Sequence, residues 1–179
     1  VVFIGDIIDN AAVSYYEKST KALGAENELS KAIDEVQKWA KVFPKATVTI
    51  GNHDRLVARK ANSGSIPRQW IRSYNEVLGT SWDWVERVVI DGVQYVHGEG
   101  GTAKTVAKND MQSTVQGHRH TEAYVHHFTG NDKAIFACQV GCGINREKYS
   151  FEYSKHYKKQ AISCAVIIGG HTAFNVMLK

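Results

Sequence analysis

Cysteine, proline and long apolar runs are scarce in this chain, and each scarcity excludes something. Three cysteines in 179 residues, Cys138, Cys142 and Cys164, are an odd number for a disulfide framework and too few to staple a chain this long. Reduced thiols in a cytoplasmic protein are the expected reading. Two prolines, Pro44 and Pro67, leave no Pro-rich linker. The longest uncharged run, Gln160 to Leu178, nears membrane-spanning length, but Gly169-Gly170-His171 and Asn175 interrupt it. Two short strands around a Gly-Gly turn are expected there, not a membrane helix. The opening residues carry no basic n-region and no cleavage pattern. Neither sign of charge dominates: 22 Lys and Arg against 18 Asp and Glu give +4, which permits a polyanionic partner without requiring one.

What is there is a globular composition, 43% hydrophobic and 22% charged, with length enough for one core. Val1 to Ile4 reads as a buried parallel strand. Helical spacing predicts helices over about Ala11 to Leu23 and Glu26 to Phe43. In the second, Leu29, Ile33, Val36, Ala40 and Phe43 share a face, and Pro44 ends the run. Ala46 to Ile50 reads as a strand, followed by a polar, basic segment with a loop at Asn62 to Ser65. Pro67 to Leu78 then reads as a helix with Trp70, Ile71, Tyr74, Val77 and Leu78 on its core side. Asp91-Gly92, between Glu86 to Ile90 and Val93 to Val96, predicts a hairpin. A short helix over Thr102 to Lys108 and a strand over Ser113 to Gln116 follow. Strands over about Glu122 to Phe128, Ala134 to Val140, Ile162 to Ile168 and Thr172 to Leu178 make the later half mostly antiparallel. With no repeat or linker, one α/β domain over 1–179 is expected.

The informative pattern is where polar residues fall. Four apolar strands end abruptly in residues able to hold a metal ion: Gly5 delivers Asp6, Gly51 delivers Asn52-His53-Asp54, Val96 delivers His97, and Gly117 delivers His118 and His120. Ligands of open α/β sheets bind at the carboxyl ends of strands, and glycine there lets the backbone turn sharply. If the four strands share a sheet, their ends converge on one crevice. A mixture of Asp, Asn and His suits zinc, manganese or iron. Alone, each feature has a plainer reading: a loop histidine, or Asp6 and Asp9 as turn or cap residues. His126, His127, His156 and His171 lack the strand-end context and read as ordinary strand or surface residues. Cys138 and Cys142 read as buried thiols, not as a metal clip.

Taken in order, "GDIID", "GNHD", "VHG" and "GHRH" resemble the motifs of the calcineurin-like metallophosphoesterase superfamily. They span Gly5 to His120, about two thirds of the chain. The resemblance implies an α/β fold with two mixed β-sheets in a sandwich flanked by helices. It also implies two divalent ions, Mn, Fe or Zn. Asp6 matches the carboxylate that bridges them; Asn52, His97 and His118 complete the second metal's set, and His120 matches a ligand of the first. His53 matches a catalytic histidine that binds no metal, and Asp54 the acid that orients it. The implied activity is hydrolysis of phosphodiester or phosphomonoester bonds by a metal-bridging hydroxide, with His53 stabilising the transition state and protonating the leaving group. No covalent enzyme intermediate is required.

One departure matters. The family's first motif, Asp-x-His, occurs nowhere in the sequence, so the first metal keeps only Asp6 and His120. An N-terminally truncated domain lacking its first central strand is the expectation. Val1 to Ile4 would then present an unpaired edge open to self-association. Supply of the missing strand by another chain, or a non-catalytic member keeping one metal as a structural or interaction element, are the alternatives.

Substrate class is open between nucleic acid, nucleotide and other phosphoesters. Asn10 and Asp54 stand where protein phosphatases of the family carry Arg and Glu. The Gly-His-x-His form looks closer to the phosphodiesterase and nuclease branches. From Arg55 to Asn75 there are five cations and no acid, with Trp70 and Tyr74 interleaved. Nucleic acid is therefore a candidate partner; the plainer reading is a solvated basic face over a core containing Trp70 and Tyr74.

Overall fold

The structure is a computed structural model that describes residues 1–15, 23–144 and 159–178. Two compact units divide the chain, Val1–Val85 and Glu86–Lys179.

The first unit is built on a parallel sheet of three short strands, β1 (Val2–Phe3), β2 (Thr47–Thr49) and β3 (Asp83–Val85), with β2 in the centre. Its middle residue, Val48, is fully buried, as a central parallel strand requires. Helix α1 (Ala25–Val42) packs Val36, Ala32, Ile33 and Ala40 into a core with Ile8, Val48, Leu78 and Trp82. Acidic Glu26 and Glu28 open α1 and Lys41 closes it, each placed favourably for the helix dipole. The helix stops at Phe43, whose carbonyl accepts the Trp82 indole N–H at 2.8 Å, and Pro44 blocks continuation.

Four expectations change in this unit. The run from Ala11 is only a single 3-10 turn, Ala11–Val13, ended by extended backbone at Ser14. Glu28 takes the N–H groups of Ala11 and Ala12 at 2.7 and 2.8 Å; positions 16–22 of the expected helix lie outside the described residues. The basic segment after Asp54 forms an unpredicted helix, α2 (Leu56–Ser63). The expected helix over Pro67 to Leu78 is broken into a 3-10 turn, Arg68–Trp70, and a short α3 (Tyr74–Leu78). Ser73 and Glu76 form a capping box that starts α3 afresh, and Pro67 and Ile71 are extended. The break puts Tyr74 against the core and leaves Trp70 outside it, 81% exposed. The strand β3 also went unpredicted.

The second unit holds a five-stranded mixed sheet in the order β4-β5-β6-β8-β7. These are β4 (Arg87–Ile90), β5 (Val93–Val96), β6 (Ser113–Gln116), β7 (Tyr124–Thr129) and β8 (Ala134–Gln139). The three middle strands run parallel and the two outer ones antiparallel to their neighbours. The β4–β5 hairpin turns at Asp91 and Gly92, both with positive φ, as the Asp-Gly pair predicts. Helix α4 (Ala103–Asp110) crosses from β5 to β6 and lays Ala103 and Ala107 on Ile135 and Ala137 of β8. The chain closes with an antiparallel ribbon of β9 (Ser163–Ile168) and β10 (Thr172–Met177), turning at Gly169-Gly170.

The α/β class holds. The four ligand-bearing strands do not share a sheet: β1 and β2 belong to the first unit's sheet, β5 and β6 to the second's. Among the described residues, no helix is long and apolar enough to cross a membrane.

Candidate metal centre

Each unit presents its own group of the predicted residues. In the first, β1 and β2 end in two loops that are tied together through their backbones. The Asp54 carboxylate, 2% exposed, accepts N–H groups from Asp6 at 2.9 Å, Ile7 at 3.0 Å and Ile8 at 3.3 Å in the first loop. It accepts Gly51 N–H at 2.8 Å in its own loop. Burial pushes its pKa up, and the N–H donors work against that rise. In return, Asp6 Oδ1 accepts the His53 N–H at 2.9 Å, and Asn10 Nδ2 donates to the His53 carbonyl at 3.0 Å. Gly51 makes the approach possible: a Cβ there would sit 2.1 Å from Asp6 Oδ1. Asn52 lies half-buried between Gly51 and His53.

The acid that holds the His53 ring is Asp9, not Asp54 as expected. His53 Nδ1 lies 2.9 Å from Asp9 Oδ1 and 2.7 Å from the Asp9 carbonyl. The hydrogen bond that His53 donates to Asp9 pushes the His53 pKa up to about 9; burial opposes it, and the charge of Asp6 adds to it. His53 is therefore an imidazolium at neutral pH, with Nδ1–H engaged and Nε2–H on the opposite side of the ring. Asp54 instead fixes the backbone on which Asp6 and His53 stand. Sequence adjacency hid this, because Asp54 is His53's chain neighbour while Asp9 reaches it from the other loop.

In the second unit, β5 delivers His97, 3% exposed, and β6 delivers His118. His97 Nε2 and His118 Nδ1 are 3.2 Å apart, with the rings edge to face. That separation serves a hydrogen bond between neutral imidazoles. It also matches two nitrogens bound ~2.0–2.1 Å from one tetrahedral ion, which would be roughly 3.3 Å apart. The pair therefore fits a metal. His118 is in the left-handed region at φ 67°, a conformation costing about 1 kcal/mol in a residue with a Cβ. Its support is an amide network. Gln139 Nε2 donates to the carbonyls of Gln116 and Gly117, and Gln139 Oε1 accepts Ala103 N–H at 3.0 Å. Gly98 allows Gln116 close beside the His97 turn, since a Cβ at Gly98 would meet the Gln116 side chain at 2.5 Å.

His120 follows two residues later, half-buried, its carbonyl accepting Ala161 N–H at 2.7 Å. Arg119 between them donates to Glu122 and to the Gly101 carbonyl. Burial pushes the Cys138 thiol up to about 12, in keeping with an inert thiol; Cys142 is half-buried. His126 and His127 are exposed on β7, and His171 is exposed beside Thr172. His156 lies outside the described residues. Gln139 was not singled out in advance; Asp9 was read only as a turn, cap or supporting acid, and Asn10 only as a departure from the phosphatase pattern. Asp9 had a signal in its place three residues after Asp6, whereas nothing local marks Gln139.

No protein-family model matches this chain, and no curated protein matches it.

Proposed function

We propose that the chain is a metal-dependent phosphoesterase of the calcineurin-like kind, hydrolysing phosphodiester or phosphomonoester bonds in the cytoplasm. The observation that carries this reading is His53, held as an imidazolium by Asp9 on a loop locked to Asp6. The His97–His118 pair, with His97 buried and His118 half-buried, adds a donor set of the required type.

Asp6, Asn52, His97 and His118 would hold one divalent ion, and Asp6 with His120 the other. Bound Mn, Fe or Zn ions lower the pKa of coordinated water and offset charge on phosphoryl oxygens. His53 Nε2–H donates to a phosphoryl oxygen as negative charge builds there, then gives its proton to the leaving oxygen. Asp9 stabilises the imidazolium and holds Nδ1–H in place. Asp54 keeps the loop from relaxing when the proton leaves. The two-sheet sandwich is part of the same proposal. So is pairing through β1, which has β2 on one side only among the described residues.

The missing Asp-x-His favours one second reading, a non-catalytic protein that keeps one metal as a structural or interaction element. Hydrolysis of an aryl phosphodiester with added Mn²⁺, alongside metal analysis of the purified chain, separates the two. Turnover that His53→Ala abolishes without metal loss supports the enzyme. A tightly held metal with no turnover of any aryl phosphoester overturns it in favour of the second reading. A clean monomer on size-exclusion chromatography would count against pairing through β1.

A further inference from the structure

We infer that the basic segment following the His53 loop is a binding strip for single-stranded nucleic acid, with Trp70 as its stacking platform. This deepens the phosphoesterase reading by naming its substrate class, and as a substrate assignment it rests on that reading.

Trp70 is the first reason. An indole ordinarily buries ~150–250 Å² of surface in a fold or an interface, yet Trp70 is 81% exposed. It is no stray residue on a loose tail. Its backbone N–H donates to the Pro67 carbonyl at 3.0 Å, and the turn it ends passes into Ser73 and the capping box of α3. Every residue from 62 to 70 is exposed.

Charge is the second reason. Arg55, Arg59, Lys60, Arg68 and Arg72 lie in a stretch without a single acid. Arg68 and Arg72 are exposed, two residues to either side of Trp70. Lys60 stands 3.9 Å over the ring of Tyr15, and Tyr15 Oη lies 3.3 Å from Ser63 Oγ, which adds a half-exposed aromatic beside α2. Cations interleaved with exposed aromatic faces are what an unpaired strand requires: phosphates take the cations and bases stack on the rings. A duplex would leave the indole face unused. A membrane surface would require apolar residues around Trp70, where Gln69, Arg68 and Arg72 stand instead.

Position is the third reason. Leu56 N–H, opening α2, donates to the His53 carbonyl at 3.1 Å, and Tyr74 Oη donates to the Asp54 carbonyl at 3.1 Å. The strip is thus joined at both ends to the loop that carries His53.

The test is fluorescence anisotropy of a short labelled oligothymidylate with the full chain, in chelator so that binding is read apart from turnover. The single strand should bind more tightly than its duplex. Trp70→Ala should weaken binding about tenfold and Trp70→Phe should restore most of it. Replacing Arg68 and Arg72 together with Gln should make the salt dependence shallower by a log–log slope of about 1.4. Unchanged far-UV circular dichroism would show the variants folded. Equal binding by Trp70→Ala, equal binding of duplex, or binding to phosphatidylserine vesicles in place of the oligonucleotide would overturn the inference. Aryl phosphodiester hydrolysis by the wild type, without oligonucleotide binding, would sink this inference alone. Oligonucleotide binding without aryl hydrolysis would keep the strip and sink the phosphoesterase reading.

Discussion

The two units hold their candidate residues by opposite means. In the first, charge does the holding: the Asp54 carboxylate gathers four backbone N–H groups, and Asp9 keeps His53 protonated. In the second, neutral amides do it: Gln139 spans Ala103, Gln116 and Gly117, and two imidazoles face each other with a ring nitrogen from each at close range. The difference follows from the chemistry each group is suited to. On the proposed reading, a proton donor to phosphate has to stay charged, and Asp9 and Asp6 beside His53 favour that. On the same reading the imidazoles have to be neutral to take a metal, and the Gln139 amide holds the backbone from which His118 projects.

That contrast can be broken from either side. The largest expected effects are on turnover and metal content. His53→Ala should lower kcat ~10³-fold at unchanged metal content, while His97→Ala should lose metal by elemental analysis as well as turnover. Equal metal loss in both would erase the division of labour. Next come the supports. Asp54→Ala strands several buried N–H groups and should cost about 3 kcal/mol in denaturant unfolding, against about 2 kcal/mol for Gln139→Ala. A reversed order would show that the amide frame is the more critical. Gly51→Ala should disturb the Asp6–His53 bond and lower turnover, because the added Cβ lands on Asp6 Oδ1.

The smallest effect is in pH dependence. The His53 pKa is raised from 6.5 to about 9, so folding favours its protonated form. Its contribution to stability is fully present below pH 6.5 and is lost as pH rises through about 9. Asp9→Asn should bring the His53 titration, followed by NMR, back toward 6.5 and flatten stability across that window. An unshifted titration would show that Asp9 is not the cause.

Much of this was legible in the sequence because it depends on local signals. Gly5, Gly51 and Gly117 end apolar runs, so the positions of Asp6, Asn52 and His118 were readable at once. So were the Asp91-Gly92 hairpin and the stop of α1 at Pro44. The failures share a cause, which is that tertiary partners outbid local pattern. Trp70 has helical spacing with Tyr74, but Ser73 and Glu76 restart the helix and turn the indole out. His53 has Asp54 as its neighbour in sequence, but a contact across 44 residues decides its charge. Asp83–Val85 is too short to show alternation, and only pairing with β2 makes it a strand.

The division into two units leaves an unplanned convenience in the composition. All four tryptophans, Trp39, Trp70, Trp82 and Trp84, lie before residue 86, and all three cysteines lie after it. Indole emission therefore follows the first unit alone, and thiol labelling the second alone. In the native chain Cys164 is exposed and should react first, while Cys138, fully buried in β8, should stay silent until its sheet opens. Without any engineering, a single unfolding experiment can ask whether the two units unfold together.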